Sequence, residues 1–260
     1  MSPDVAGFLT VVLFAAVAVG AVVVAIRRTG ACWKTWMLVL IAKIYSGLFF
    51  RQRVIQKSPL PDGGALILVN HRSPVDPLFI LSATASDPFQ GQLKIIEFLT
   101  ASEYTRIPGA VGFICKYMRS IPVDRDGEDM ESAKVALRRI HEGHTVGIFP
   151  EGKINFGPGL LRPNPGVAWL ALKAGRPVIP AFIHGAPQVA SKSMVAPFLT
   201  RTHVRVDFGP PVDLSAYDGK RLTPAILSDV SRLLMEKLAE TGGLPVKSLR
   251  IADPRSRASA

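Results

Sequence analysis

Apolar and polar positions divide the chain into an apolar front, an alternating body and a polar tail. Val5 to Ile26 is an unbroken apolar run whose only polar side chain is Thr10. As a helix of about 22 residues it would reach about 33 Å, enough for the ~30 Å hydrocarbon core of a bilayer. Arg27 and Arg28 follow at once, whereas the N-terminal tail carries Asp4 and no basic side chain. Positive charge collects on the cytoplasmic flank of a spanning helix, so the pattern predicts a single-pass anchor with the next domain on the cytoplasmic face. A signal peptide would carry its charge ahead of a shorter apolar stretch. Trp33 to Phe50 is apolar too, but Lys34 and Lys43 interrupt it. This fits a helix lying in the membrane interface, with Trp33, Trp36 and the Phe49–Phe50 pair at headgroup depth. It fits a helix packed on the domain equally well. Residues 1–53 are thus expected to form a membrane anchor.

From 54 to 245 the period changes. Gly64 to Val69 is a continuous apolar run of strand length, followed by Asn70-His71. Further strands are predicted at Leu93–Ile96, Ser120–Val123, Thr145–Phe149, Val178–Ile183 and His203–Phe208. Helices are predicted from Pro74 through Leu81, with Ser73 as N-cap, and at Asp129–His141, Val167–Lys173 and Thr223–Ala239. Met130, Ala133, Leu137 and Ile140 form the apolar side of the second, and Glu131, Lys134, Arg138 and Glu142 its charged side. Strands alternating with helices predict one α/β domain, with a mixed, mostly parallel sheet flanked by helices. The tail, 246–260, is polar and basic and is expected to be disordered.

Composition narrows the partners. The 31 Lys and Arg outnumber 20 Asp and Glu, giving a formal charge of +11. That excess favours anionic partners, and the apolar front points to membrane lipid and phosphorylated substrates. No nucleic-acid role is expected, because aromatic and basic residues are not interleaved in the domain. Cys32 and Cys115 form no CxxC pair or disulfide framework.

The strongest chemical signal is Asn70-His71-Arg72-Ser73-Pro74-Val75-Asp76. A His at a strand's end and an Asp five residues on can face one another. The carboxylate would then fix the imidazole tautomer and leave the other nitrogen to remove a proton from a hydroxyl. An imidazole titrates in the range that suits this work at neutral pH. His141-Glu142-Gly143-His144 ends a predicted helix at a Gly turn with no third ligand beside it, so no metal site is expected there. There is no GxSxG, and neither cysteine neighbours a His.

Three further blocks accompany the first: Ile121-Pro122-Val123-Asp124-Arg125, Phe149-Pro150-Glu151-Gly152 and Val178-Ile179-Pro180. In this order and spacing, over about residues 60–210, they resemble the glycerolipid acyltransferase family that includes the lysophosphatidic acid acyltransferases. The resemblance implies that His71 is the catalytic base and Asp76 its partner. It implies that Arg125 binds the acceptor's phosphate, that Glu151 and Gly152 help form the acceptor site, and that Pro180 belongs to the acyl-donor side or the fold. The donor would be an acyl-CoA or acyl-carrier protein, attacked without an acyl-enzyme and without metal or organic cofactor. The acceptor would be an anionic lysophospholipid, lysophosphatidic acid first, with phosphatidic acid as product. One departure bears on the acceptor. The family continues Glu-Gly with Thr-Arg, where this chain has Lys153-Ile154, and Lys offers a point charge in place of a fork. The run Glu151-Gly152-Lys153-Ile154-Asn155 is similar to tafazzin-like transacylases. Another lysophospholipid or glycerol 3-phosphate as acceptor, transacylation from a phospholipid, and a non-catalytic lipid-binding role are therefore the alternatives.

Overall fold

A computed structural model of the chain describes residues 3–55, 60–85, 88, 93–124, 130–189 and 195–245. Helix α1, Pro3–Thr29, is long and apolar enough to cross a membrane and is almost entirely uncovered by the rest of the protein. Helix α2, Trp33–Leu48, has two faces. Val39 and Ala42 are buried with Leu81, Ala85 and Met118, and Trp36 is buried too, while Trp33, Ile41, Ile44 and Leu48 are exposed. The same helix thus packs on the domain and keeps an apolar side outward.

The body is a seven-stranded sheet in the order β1-β7-β6-β2-β5-β3-β4. Its strands are β1 Arg53–Val54, β2 Ala65–Val69, β3 Ile96–Ala101, β4 Ile121–Val123, β5 Thr145–Ile148, β6 Val178–His184 and β7 Arg205–Phe208. Only β6–β7 is antiparallel; the other neighbours run parallel. The mixed, mostly parallel α/β architecture is as the alternating pattern predicts. Central β2 is buried at every residue, which is why its sequence is continuously apolar. Its side chains alternate between two layers. Leu66 and Leu68 join α6 (Met130–His141), α7 (Gly166–Ala174) and α9 (Pro224–Thr241) on one face. Ala65, Ile67 and Val69 meet Phe50 and the Phe79–Ile80 pair of α3 (Asp76–Thr84) on the other.

Boundaries depart from the sequence reading in three places. The third helix begins at Asp76, not Pro74, with Val75 at the N-cap position and Pro77 in the first turn. The Asp76 carboxylate accepts the backbone N–H groups of Arg72 and Ser73, so residues 72–75 are held as a turn. Strand β3 starts at Ile96, where Leu93–Ile96 was expected, because Leu93 N–H donates to Thr29 and Lys94 turns to Asp62. Three short helices had no sequence prediction: α4 Ser102–Arg106, α5 Ala110–Tyr117 and α8 Ala196–Leu199. Residue 129 and the tail 246–260 lie outside the described residues.

Candidate active site

The parallel strands bring their C-terminal ends to one rim, where the described residues of the first and third blocks collect and those of the second end at Asp124, while Val178-Ile179-Pro180 lies inside the sheet. Asn70 closes β2. Its side-chain amide donates to the carbonyl of Ile183 at 3.0 Å and accepts that residue's N–H at 2.7 Å. It does the work of a peptide group where β2 leaves β6, and it fixes where the following His71 stands.

His71 Nδ1 lies 2.9 Å from Asp76 Oδ2. The same carboxylate oxygen accepts Arg72 N–H at 2.6 Å and Ser73 N–H at 2.7 Å. Asp76 is fully buried, whereas the His71 side chain keeps 17% of its surface exposed. Burial pushes the Asp76 carboxyl above its ordinary value, opposed by the hydrogen bonds from His71, Ser73 and Arg72. With Nδ1 engaged, Nε2 has no protein partner among the described residues and is the nitrogen left for a substrate proton. The ring stacks on Phe149 with centroids 4.0 Å apart, and Phe149 stacks on Phe98 at 5.2 Å. Gly147 makes room for this stack, since a Cβ there would come within 2.5 Å of the Phe98 ring.

Glu151 is buried, and every contact it makes is with the site's own framework. One oxygen accepts His71 N–H at 2.9 Å; the other accepts Asn155 Nδ2 at 2.8 Å and Leu161 N–H at 2.9 Å. Asn155 N–H in turn donates to the His71 carbonyl at 2.8 Å. Gly152 turns the chain there with φ of +68°, a conformation that suits glycine. Arg72 forks over the same loop, reaching the carbonyls of Asn155 at 3.2 Å, Gly157, and Gly159 at 2.9 Å. Loop 151–161 is thus stitched to the His71 turn.

The profile of the Acyltransferase family matches residues 51–184, the span that contains this rim. The chain belongs to the acyltransferase family. Over 174 residues it is 28% identical to the 1-acyl-sn-glycerol-3-phosphate acyltransferase of Borreliella burgdorferi. It spans 65% of the length of that curated relative, and the match takes in 65% of this chain. The crystal structure of the 1-acyl-sn-glycerophosphate (LPA) acyltransferase PlsC from Thermotoga maritima has the same fold. The TM-score is 0.59 at 22% identity, covering 79% of this chain and 78% of that one.

In this member of the family His71, Asp76, Glu151 and Gly152 are brought together, and Lys153 follows them as an exposed side chain with no carboxylate partner among the described residues. Arg125 lies outside the described residues. The preceding Asp124 accepts a hydrogen bond from Ser102 at 2.5 Å, so the end of β4 is tied to the end of β3 on this rim. Arg119 sits at the other end of β4 and faces Glu97, so it does not share the His71 rim. Pro180 pairs with Leu68 inside the sheet. His141 Nε2 meets the Ala174 carbonyl at 3.1 Å and His144 faces Glu97 at 3.5 Å. Among the described residues no three His, Cys, Asp or Glu side chains gather as metal ligands. Sequence reasoning missed the framework roles of Asn70, Arg72, Phe149 and Asn155. All four stand inside or beside the quoted blocks, but nothing in their spacing says which backbone groups they hold.

Proposed function

We propose that this acyltransferase moves an acyl group from an acyl-CoA or acyl-carrier-protein thioester to the free hydroxyl of lysophosphatidic acid, giving phosphatidic acid. The observation that carries the reading is the His71–Asp76 pair, with one imidazole nitrogen engaged by a buried carboxylate and the other without a partner among the described residues. The acceptor hydroxyl gives its proton to His71 Nε2 as its oxygen attacks the thioester carbonyl. The tetrahedral adduct collapses, the C–S bond breaks, and the imidazolium returns the proton to the departing thiolate. Asp76 stabilises that imidazolium. Arg125 and Lys153 supply positive charge to the acceptor phosphate, and Glu151 shapes the acceptor site by holding the loop. The names of the Borreliella and Thermotoga proteins support the choice of acceptor. Helix α1 crosses the membrane once, with Arg27 and Arg28 on the cytoplasmic side beside the domain.

The test is acyl transfer by the detergent-purified chain, with labelled lysophosphatidic acid and oleoyl-CoA, beside His71→Ala. Phosphatidic acid formed by the wild type and lost in the variant supports the reading. No product from folded wild type sinks this acceptor. The Lys153-Ile154 departure favours one second reading, transacylation from a phospholipid, which product formed without any thioester would reveal.

A further inference from the structure

The rim opposite His71 carries a concavity. A cavity of about 420 Å³ opens between the α1–α2 turn and the N-terminal ends of β3 and β5. Cys32 and Thr35 line it on the helix side, and Lys94, Lys116, Arg119 and His144 on the domain side. Thr35 Oγ1 donates to the Tyr117 carbonyl at 2.8 Å and Lys34 Nζ to the Tyr117 hydroxyl at 2.7 Å, so the turn is docked on α5.

Its charges are unevenly matched. Lys94 pairs with Asp62 at 2.6 Å. Glu97, buried behind the cavity, is already held by Arg139, whose Nε and Nη2 donate at 2.7 and 2.6 Å. Arg139 is shared with Glu142 at 2.7 Å, Arg119 stands 3.8 Å from Glu97 as a long ion pair, and Lys116 meets no carboxylate among the described residues. Lys116 is therefore the surplus cation at the cavity, with Arg119 beside it at the edge of a shared carboxylate pair. The first turn of α2 adds no acidic residue, and Arg27 and Arg28 stand in the last turn of α1 close by.

We infer that this cavity binds the phosphate headgroup of an anionic membrane lipid, apart from the acyl-transfer site. Lys116, without a carboxylate partner among the described residues, and Arg119, only loosely held by Glu97, offer positive charge to a phosphate. The position of the cavity selects a lipid over a free ion, because it opens where the apolar α1 ends and bilayer headgroups would lie. The last point rests on α1 being membrane-embedded, part of the reading given above.

The test uses the full chain in mixed micelles of a neutral detergent with equimolar phosphatidylglycerol and phosphatidylcholine, counting retained lipid by native mass spectrometry. The wild type is expected to keep phosphatidylglycerol over phosphatidylcholine by about tenfold or more, a preference lost in Lys116→Gln/Arg119→Gln and reduced in Lys116→Gln alone. Acyl transfer in the same micelles should stay within about twofold of wild type, showing that the variants fold. Equal retention of the two lipids, unchanged preference in the variants, or displacement by inorganic phosphate at lipid-like concentration would each overturn the inference. Flotation on neutral phosphatidylcholine vesicles reads α1 separately. Wild type that fails to float overturns the embedded helix, whatever the micelles show, and wild type that floats but shows no lipid preference overturns only the cavity.

Discussion

His71 and Asp76 meet through a single carboxylate oxygen, 2.9 Å from the ring nitrogen, which also gathers the N–H groups of Arg72 and Ser73. Asp76 Oδ1 is buried with no hydrogen bond among the described residues. The pair is therefore held by the turn between its members as much as by its own contact. His71→Ala should lower kcat about 10²–10⁴-fold, and Asp76→Asn should lower it by a comparable order through loss of the oriented tautomer. Circular dichroism on both variants would show the fold intact.

Stability should separate from activity in Asp76→Asn as pH changes. Burial raises the Asp76 carboxyl above its ordinary 3.8, so the folded state holds this proton more tightly than the unfolded chain. The associated stability is present below about pH 4 and lost as pH rises through the raised value. Asn does not titrate. The melting temperature of wild type relative to Asp76→Asn should fall as pH rises above about 4, and a flat difference would remove the buried-charge account.

Glu151 accepts three N–H hydrogen bonds from the framework. Glu151→Gln would turn an amide N–H₂ toward one or more of these donors. A loss of about 1–3 kcal/mol is expected, read as a drop of several degrees in melting temperature together with lower kcat. A raised acceptor KM at unchanged melting temperature would instead assign Glu151 to the substrate alone.

Arg72 binds three carbonyls of one loop with a planar fork, which Lys cannot imitate. Arg72→Lys should therefore behave much like Arg72→Ala. Both should show faster proteolytic nicking near Phe156 and about tenfold lower kcat, and full rescue by Lys would contradict the fork.

Phosphate recognition predicts a KM effect. Arg125→Ala should raise the KM for lysophosphatidic acid about tenfold or more with little change in kcat, and Lys153→Ala should do so more weakly. A monoacylglycerol acceptor lacking phosphate should not distinguish these variants from wild type.

What the chain's order alone determined is local. An apolar run of some 22 residues reads as a long apolar helix, and a short one bounded by turn residues as a buried parallel strand. Hence α1, β2, β5, β6, α6, α7 and α9 were legible to within a few residues. So was the His71–Asp76 pairing, because the four intervening residues of turn suffice to bring the two together. Helix α5 was not legible, because it is only eight residues long, contains Gly112, and is held by packing against α4 and α2. Tertiary structure alone decided that Glu151 supports His71 across 80 residues of sequence, and that Arg119 falls on the rim opposite the base. The physical reason is that a hydrogen bond between distant segments depends on strand order and register. Here β2 and β5 lie side by side with Leu68 opposite Ile148, and no periodicity within either segment encodes that pairing.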